Sequence, residues 1–169
     1  YAERTGPLNV LVVGGSLGAQ GLNYVVPKAW ALMAESERPN VVHQAGEKNL
    51  AQLQALYAAA GVHAICVAFI ADMAGGHFLV ICRAGALTVA ELAAAGVASV
   101  LVPYPSAVDD HQTGNAQFLA QAGAAVLLPQ SELTAERLTT ICHAPRSQWA
   151  QMAEKAHALA RPQATSDVA

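Results

Sequence analysis

Leu79-Val80-Ile81-Cys82-Arg83-Ala84-Gly85-Ala86-Leu87-Thr88-Val89-Ala90-Glu91-Leu92-Ala93-Ala94-Ala95-Gly96 is the stretch that decides the fold class. Leu79 to Cys82 are four apolar residues in a row, as in a short strand buried on both faces. Arg83 to Leu87 form a turn of small residues, and Thr88 is expected to open a helix that runs through Val89, Leu92 and Ala95 to a stop at Gly96. Strand, tight turn and helix start make an anion site, because the first amides of a helix lack intrahelical partners and the helix dipole adds positive potential there. Glu91, three residues into the helix, can reach a sugar hydroxyl pair beside a bound phosphate, which together suggests a nucleotide-sugar site. The same spacing fits a capping box, in which Thr88 caps the helix and Glu91 reaches back to it. The two roles are compatible, and spacing does not separate them.

A second junction of this kind lies near the start of the chain. Leu8 to Val13 is an apolar, β-branched run, followed by Gly14-Gly15-Ser16-Leu17-Gly18 and a helical pattern from about Gln20 to Ala34. Glycines let the backbone turn sharply and approach a ligand closely. One candidate role is a phosphate-facing loop with Ser16 donating its hydroxyl; another is a purely structural turn. A third is the nucleophile elbow, since these five residues satisfy G-x-S-x-G. The elbow fails on context. Too few residues precede Leu8 to supply the earlier strand that carries half an oxyanion hole, and nothing local supports Asp109 or Asp110 with His143 as its partners. The G-x-G-x-x-G dinucleotide fingerprint is absent too.

The rest of the chain repeats the alternation. Apolar runs near Val41–His43, Ala64–Ala68, Ser99–Val102 and Ala125–Leu128 are separated by helical patterns near Leu50–Ala60, Val89–Ala95 and Asn115–Ala122. Two more helices are expected near Thr134–Cys142 and Arg146–Ala160. Gly61, Gly96 and Gly123 stand where helices should stop. Short, nearly continuous apolar strands alternating with helices predict an α/β fold, a Rossmann-like parallel sheet covered on both faces, with ligands beyond the carboxyl ends of the strands. A hydrophobic share of 54% against 12% charged, much of it alanine, suits helices packed closely on such a sheet. At 169 residues, positions 1–160 make one domain and 161–169 a tail set off by Pro162.

Composition also excludes several classes. A net charge of −3 without a Lys/Arg cluster argues against nucleic acid as a partner. No apolar run is long enough for a membrane span, and no signal peptide is evident. Three cysteines without C-x-x-C spacing favour a reducing compartment, and the six histidines show no zinc-like pairing with acids. A third loop, Pro103 to Asn115, is polar and long and enters the next helix, so Asp110, His111 and Gln112 can face the same crevice. An acidic helix N-terminus that stabilises the dipole explains that loop equally well.

Taken together, GGSLGAQGLN (14–23), HQAG (43–46), FIADM (69–73), CRAGALTVAELAAAG (82–96) and DDHQTGNA (109–116) resemble the MurG family of glycosyltransferases. The resemblance runs over essentially the whole chain with the motifs in family order, and the 82–96 block is its specific part. It implies the C-terminal half of a GT-B enzyme, the domain that binds UDP-N-acetylglucosamine. The parent reaction is inverting transfer of N-acetylglucosamine to lipid I in peptidoglycan synthesis, on the cytoplasmic face of the inner membrane.

By the same resemblance Ser16 meets the donor near its phosphates and Ile70 offers backbone hydrogen bonds to uracil. Ala86, Leu87 and Thr88 hold the diphosphate, Glu91 binds the ribose, and Gln112 with His111 contacts the N-acetylglucosamine. Arg83 either orients the turn or touches ligand. No catalytic residue, cofactor or metal is implied for this half, since the acceptor site and general base belong to an N-terminal domain. Three departures stand out: Ala71 replaces a usual Asp, Ser106 a usual polar residue such as His, and Gly75-Gly76-His77-Phe78 replaces a segment longer by about one helical turn. The alternative is a non-catalytic nucleotide-binding or interaction module that retains the fold.

Overall fold

Apolar runs short enough to be strands and long enough to cross a sheet once produce six of them in the computed structural model, which describes residues 9–13, 20–69, 79–103, 111–144 and 146–160. The strands are β1 (Asn9–Val13), β2 (Asn40–Gln44), β3 (Ile65–Val67), β4 (Leu79–Cys82), β5 (Ala98–Leu101) and β6 (Val126–Leu127). The helices are α1 (Gln20–Leu32), α2 (Leu50–Ala60), α3 (Ala86–Ala95), α4 (His111–Gln121), α5 (Ala135–Cys142) and α6 (Arg146–Ala160). Gly61, Gly96 and Gly123 have φ of 71°, 67° and 75°, so the expected stops are left-handed residues that a side chain would strain.

All strand pairs are parallel, in the order β3-β2-β1-β4-β5-β6. Side chains alternate across the sheet. Val10, Val12, Leu79, Ile81 and Val100 face a core shared with Trp30, Leu53 and Leu138. Leu11, Val80, Cys82 and Leu101 face the opposite core with Leu92, Leu119 and Ala156. Burial on both faces explains why the strands read as unbroken apolar runs rather than alternating ones.

Three helix boundaries differ from the expectation. The helix after β4 begins at Ala86, two residues before Thr88. Gly85 already has an extended backbone (φ −64°, ψ 152°) that serves as the entry, and Ala86 and Leu87 are strong helix formers that join at once. Likewise α4 starts at His111, so the long third loop ends earlier than Asn115. Helix α1 stops at Leu32, two residues short of Ala34, and passes through Pro27 without ending there.

The strand order matters most for function. The chain winds from β1 outward to β3, then returns to the other side of β1 with β4. Val13 and Cys82, the last residues of β1 and β4, are register partners, so these two strands end side by side at the topological switch point.

Candidate functional site

At this switch point β4 ends, three residues turn, and α3 begins. Its first intrahelical bond runs from Val89 N–H to Gly85 O at 2.9 Å, which leaves the amides of Ala86, Leu87 and Thr88 outside the helical ladder. The capping box does not form: Thr88 is the third residue of the helix, and no side chain caps its start. The Thr88 hydroxyl instead lies 3.9 Å from where a Cβ on Gly85 would stand, over the helix entrance. Glu91 is on the second turn and exposed to solvent, so its carboxylate is not committed to the helix start.

Hydrogen bonds tie the neighbouring segments to this turn. Asn115 Nδ2 donates to Ala84 O at 3.0 Å, bringing the first turns of α4 beside the entrance to α3. His111 and Gln112 open α4 one turn earlier, on the same edge; their side chains lie outside the described residues, as do those of Ala86 and Leu87. Arg83 is half-buried and reaches sideways: its NH1 donates to Gln130 Oε1 at 2.6 Å and to Val102 O at 3.4 Å. Ser16 and Ile70 lie outside the described residues, as do Asp109 and Asp110. At the far edge, Gly46 N–H and Gln44 Nε2 both donate to Ala68 O, at 3.1 and 2.8 Å, extending the β2–β3 pairing up to the exposed Phe69.

Asn115 and Gln130 are the polar residues that sequence reasoning passed over here. The available signal was position, since Gln130 follows β6 at its carboxyl end and Asn115 lies in the first turns of the helix that follows the long third loop. His43 is a third case. Its Nε2 is 3.1 Å from Asn23 Oδ1 and its Nδ1 is 2.7 Å from Tyr57 OH, all buried between β2, α1 and α2. With Asn23 accepting at Nε2–H, the neutral ring accepts from Tyr57 at Nδ1. Burial pushes the imidazole down to about 3 and the Tyr57 phenol up, so both stay neutral. Burial also pushes the Cys82 and Cys142 thiols up to about 12, far from a reactive thiolate.

Two concavities of about 490 Å³ lie among the described residues. One sits at the opposite ends of β1–β3, lined by Asn9, Arg38, Asn40 and His63. The other is an apolar groove between α3 and α4 beside the exposed Phe118. The first is remote from the helix start that can receive an anion, and the second reaches only its flank, through Val89 and Asn115; we assign the site from the switch point.

A parallel sheet of this order, with an open helix start at the switch point, defines a Rossmann-like domain of the kind that forms the C-terminal half of GT-B glycosyltransferases. The chain superposes on Acinetobacter baumannii MurG with a TM-score of 0.85 and 47% identity, covering 96% of this chain and 50% of that one. It shares the fold, at 21% identity and a TM-score of 0.65, with the spinosyn rhamnosyltransferase SpnG in complex with thymidine diphosphate, over 99% of this chain and 46% of the other. In sequence it is 63% identical over 172 residues to the UDP-N-acetylglucosamine--N-acetylmuramyl-(pentapeptide) pyrophosphoryl-undecaprenol N-acetylglucosamine transferase of Dechloromonas aromatica (strain RCB). That alignment takes in 100% of this chain and 49% of the relative. Residues 9–168 match the glycosyltransferase family 28 C-terminal domain, and the chain belongs to that family. It spans about half the length of the curated relatives it matches.

Proposed function

We propose that this chain is the donor-binding half of an inverting glycosyltransferase that moves N-acetylglucosamine from UDP-N-acetylglucosamine to lipid-linked N-acetylmuramoyl-pentapeptide. The observation that carries the proposal is the open start of α3 at the switch point, in a chain 63% identical to a transferase of that name. The amides of Ala86, Leu87 and Thr88, with the Thr88 hydroxyl, take the diphosphate and stabilise it as the leaving group when the acceptor hydroxyl displaces UDP from the anomeric carbon. Glu91 takes the ribose hydroxyls. Ser16, which follows β1 in sequence, meets the donor near its phosphates. His111 and Gln112, which open α4, take the N-acetylglucosamine.

From β4 to β3 is three strand spacings, about 14 Å, a distance on the scale of an extended nucleoside diphosphate. That geometry supports uracil near Ile70, just beyond Phe69. Arg83 is held by Gln130 and Val102, which supports a role in orienting the turn. The acceptor, lipid I, belongs to the half of the relatives' length that this chain does not span. No helix among the described residues is long and apolar enough to cross a membrane. We place the enzyme on the cytoplasmic face of the inner membrane as a peripheral protein, in keeping with three free cysteines.

Calorimetric titration of the 169-residue chain tests the proposal. UDP and UDP-N-acetylglucosamine should bind, while ADP-ribose and NADH should not. Affinity near the millimolar range is expected, because half the cleft is supplied elsewhere and association costs several kcal/mol before any surplus appears. Equal binding of adenine and uracil nucleotides would refute the assignment.

A further inference from the structure

Gln130 sits where three parts of the switch-point crevice meet. It lies in a short 3-10 turn, Gln130–Glu132, at the point where the chain leaves β6 and returns over the strand ends. That return brings α5 against α1, where Thr139 Oγ1 donates to Ala29 O at 3.0 Å. On one side the Gln130 oxygen accepts from Arg83 NH1 at 2.6 Å. On the other side the carboxamide presses on the first turn of α1. A Cβ at Gly21 would lie 3.1 Å from Gln130 Cδ, 3.2 Å from Oε1 and 3.3 Å from Nε2. Those separations are tighter than ordinary van der Waals contact, so α1 carries a glycine where the carboxamide needs the space. One side chain from the turn after β6 thereby abuts the helix that follows β1 and bonds the arginine that follows β4, the two strands that flank the switch point.

We propose that Gln130 is a positioning residue of the donor site. Wedged against Gly21, its carboxamide holds the Arg83 guanidinium at the end of β4, and with it the turn that sets the first amides of α3 for the donor's diphosphate. This rests on the assignment of the chain as a donor-binding domain and adds to it a residue distant in sequence from every motif above.

The test is an NMR titration of the 169-residue chain with UDP and, separately, with uridine, which carries no phosphate. Gln130→Leu, and Gln130→Ser as a second variant too short to reach Arg83, should weaken UDP binding by about tenfold and leave uridine binding unchanged. Gly21→Ala should do the same by displacing the carboxamide, and Gly21→Ala combined with Gln130→Leu should be no weaker than Gln130→Leu alone. Absence of UDP binding in the unaltered chain would overturn the donor-site assignment and this proposal with it. UDP binding that survives in both Gln130 variants would overturn the role of Gln130 alone. Equal losses for UDP and uridine would do so too, because a merely structural contact does not discriminate by phosphate. Additive losses in the double variant would show that Gly21 does not act through Gln130 and would overturn the wedge.

Discussion

Lowering the pH from about 7.5 to about 5 should destabilise this domain chiefly through one residue, His43. Its ring is fully buried, with Tyr57 OH at Nδ1 and Asn23 Oδ1 at Nε2, and burial holds it near 3 against an ordinary 6.5. The folded-state value is depressed, so the unfolded chain binds a proton that the folded one refuses. Stability is therefore full above about 6.5 and falls as pH drops toward about 3. Each pH unit in that window costs up to about 1.4 kcal/mol, which at about pH 5 amounts to about 2 kcal/mol. That is a large share of the stability of a domain this size. Urea denaturation followed by the fluorescence of the buried Trp30 and Trp149 measures it, with His43→Gln as the reference. The variant should start less stable at the higher pH, because its amide replaces a well-fitted ring, and should lose about 2 kcal/mol less on acidification. Contributions common to the two proteins cancel in the difference. If wild type and His43→Gln lost equal stability over this range, or if the His43 resonances titrated near 6.5 in the folded protein, the assignment of a buried neutral imidazole would be wrong.

Glu91→Gln should leave the melting temperature almost unchanged, because Glu91 is exposed and takes no part in capping α3. It should weaken UDP by roughly tenfold or more and 2′,3′-dideoxy-UDP much less, since a carboxylate accepting from two hydroxyls makes charge-assisted bonds; equal losses for both ligands would move Glu91 off the ribose. Arg38→Ala should cost about 1–2 kcal/mol in urea denaturation, after allowance for partial exposure, without altering UDP affinity. Arg38 joins the ends of α1 and α2 through Trp30 O (3.1 Å) and Gly61 O (3.2 Å), at the edge of the sheet opposite the donor site. Gly96→Ala should cost about 1–2 kcal/mol for the left-handed backbone, and more for its contact with α6. The new Cβ would lie 3.0 Å from His157 Cβ, and an unchanged urea midpoint would contradict both the φ of 67° and that contact.

Much of this architecture is local and was therefore legible in the sequence. An apolar run of four or five residues bounded by a Gly-rich turn has few conformational choices, so the strands at Leu79–Cys82 and Asn9–Val13 fall where the runs are. The stops at Gly61, Gly96 and Gly123 need only a residue without a Cβ at a positive φ. Even the open helix start after β4 follows from strand, turn and helix in succession. Read from the sequence, the first turn of α3 starts two residues late, because Thr88 and Glu91 imitate a cap. Whether a threonine caps a helix depends on where the preceding residues already point, and here Gly85 has made the entry before Thr88 is reached. Periodicity also cannot say which strands pair. The order β3-β2-β1-β4-β5-β6 sets Val13 beside Cys82 and so creates the crevice, although the two residues are far apart in the chain. The same holds for Arg83 with Gln130, 47 residues away, and for His43, whose neutrality comes from the loss of solvent where α1 and α2 close over it rather than from its own neighbours in sequence. Local steric preference and apolar patterning therefore determined the elements and the kind of site. The partners of each polar group, and with them its charge and reach, were decided only when parallel pairing closed the sheet and removed the water.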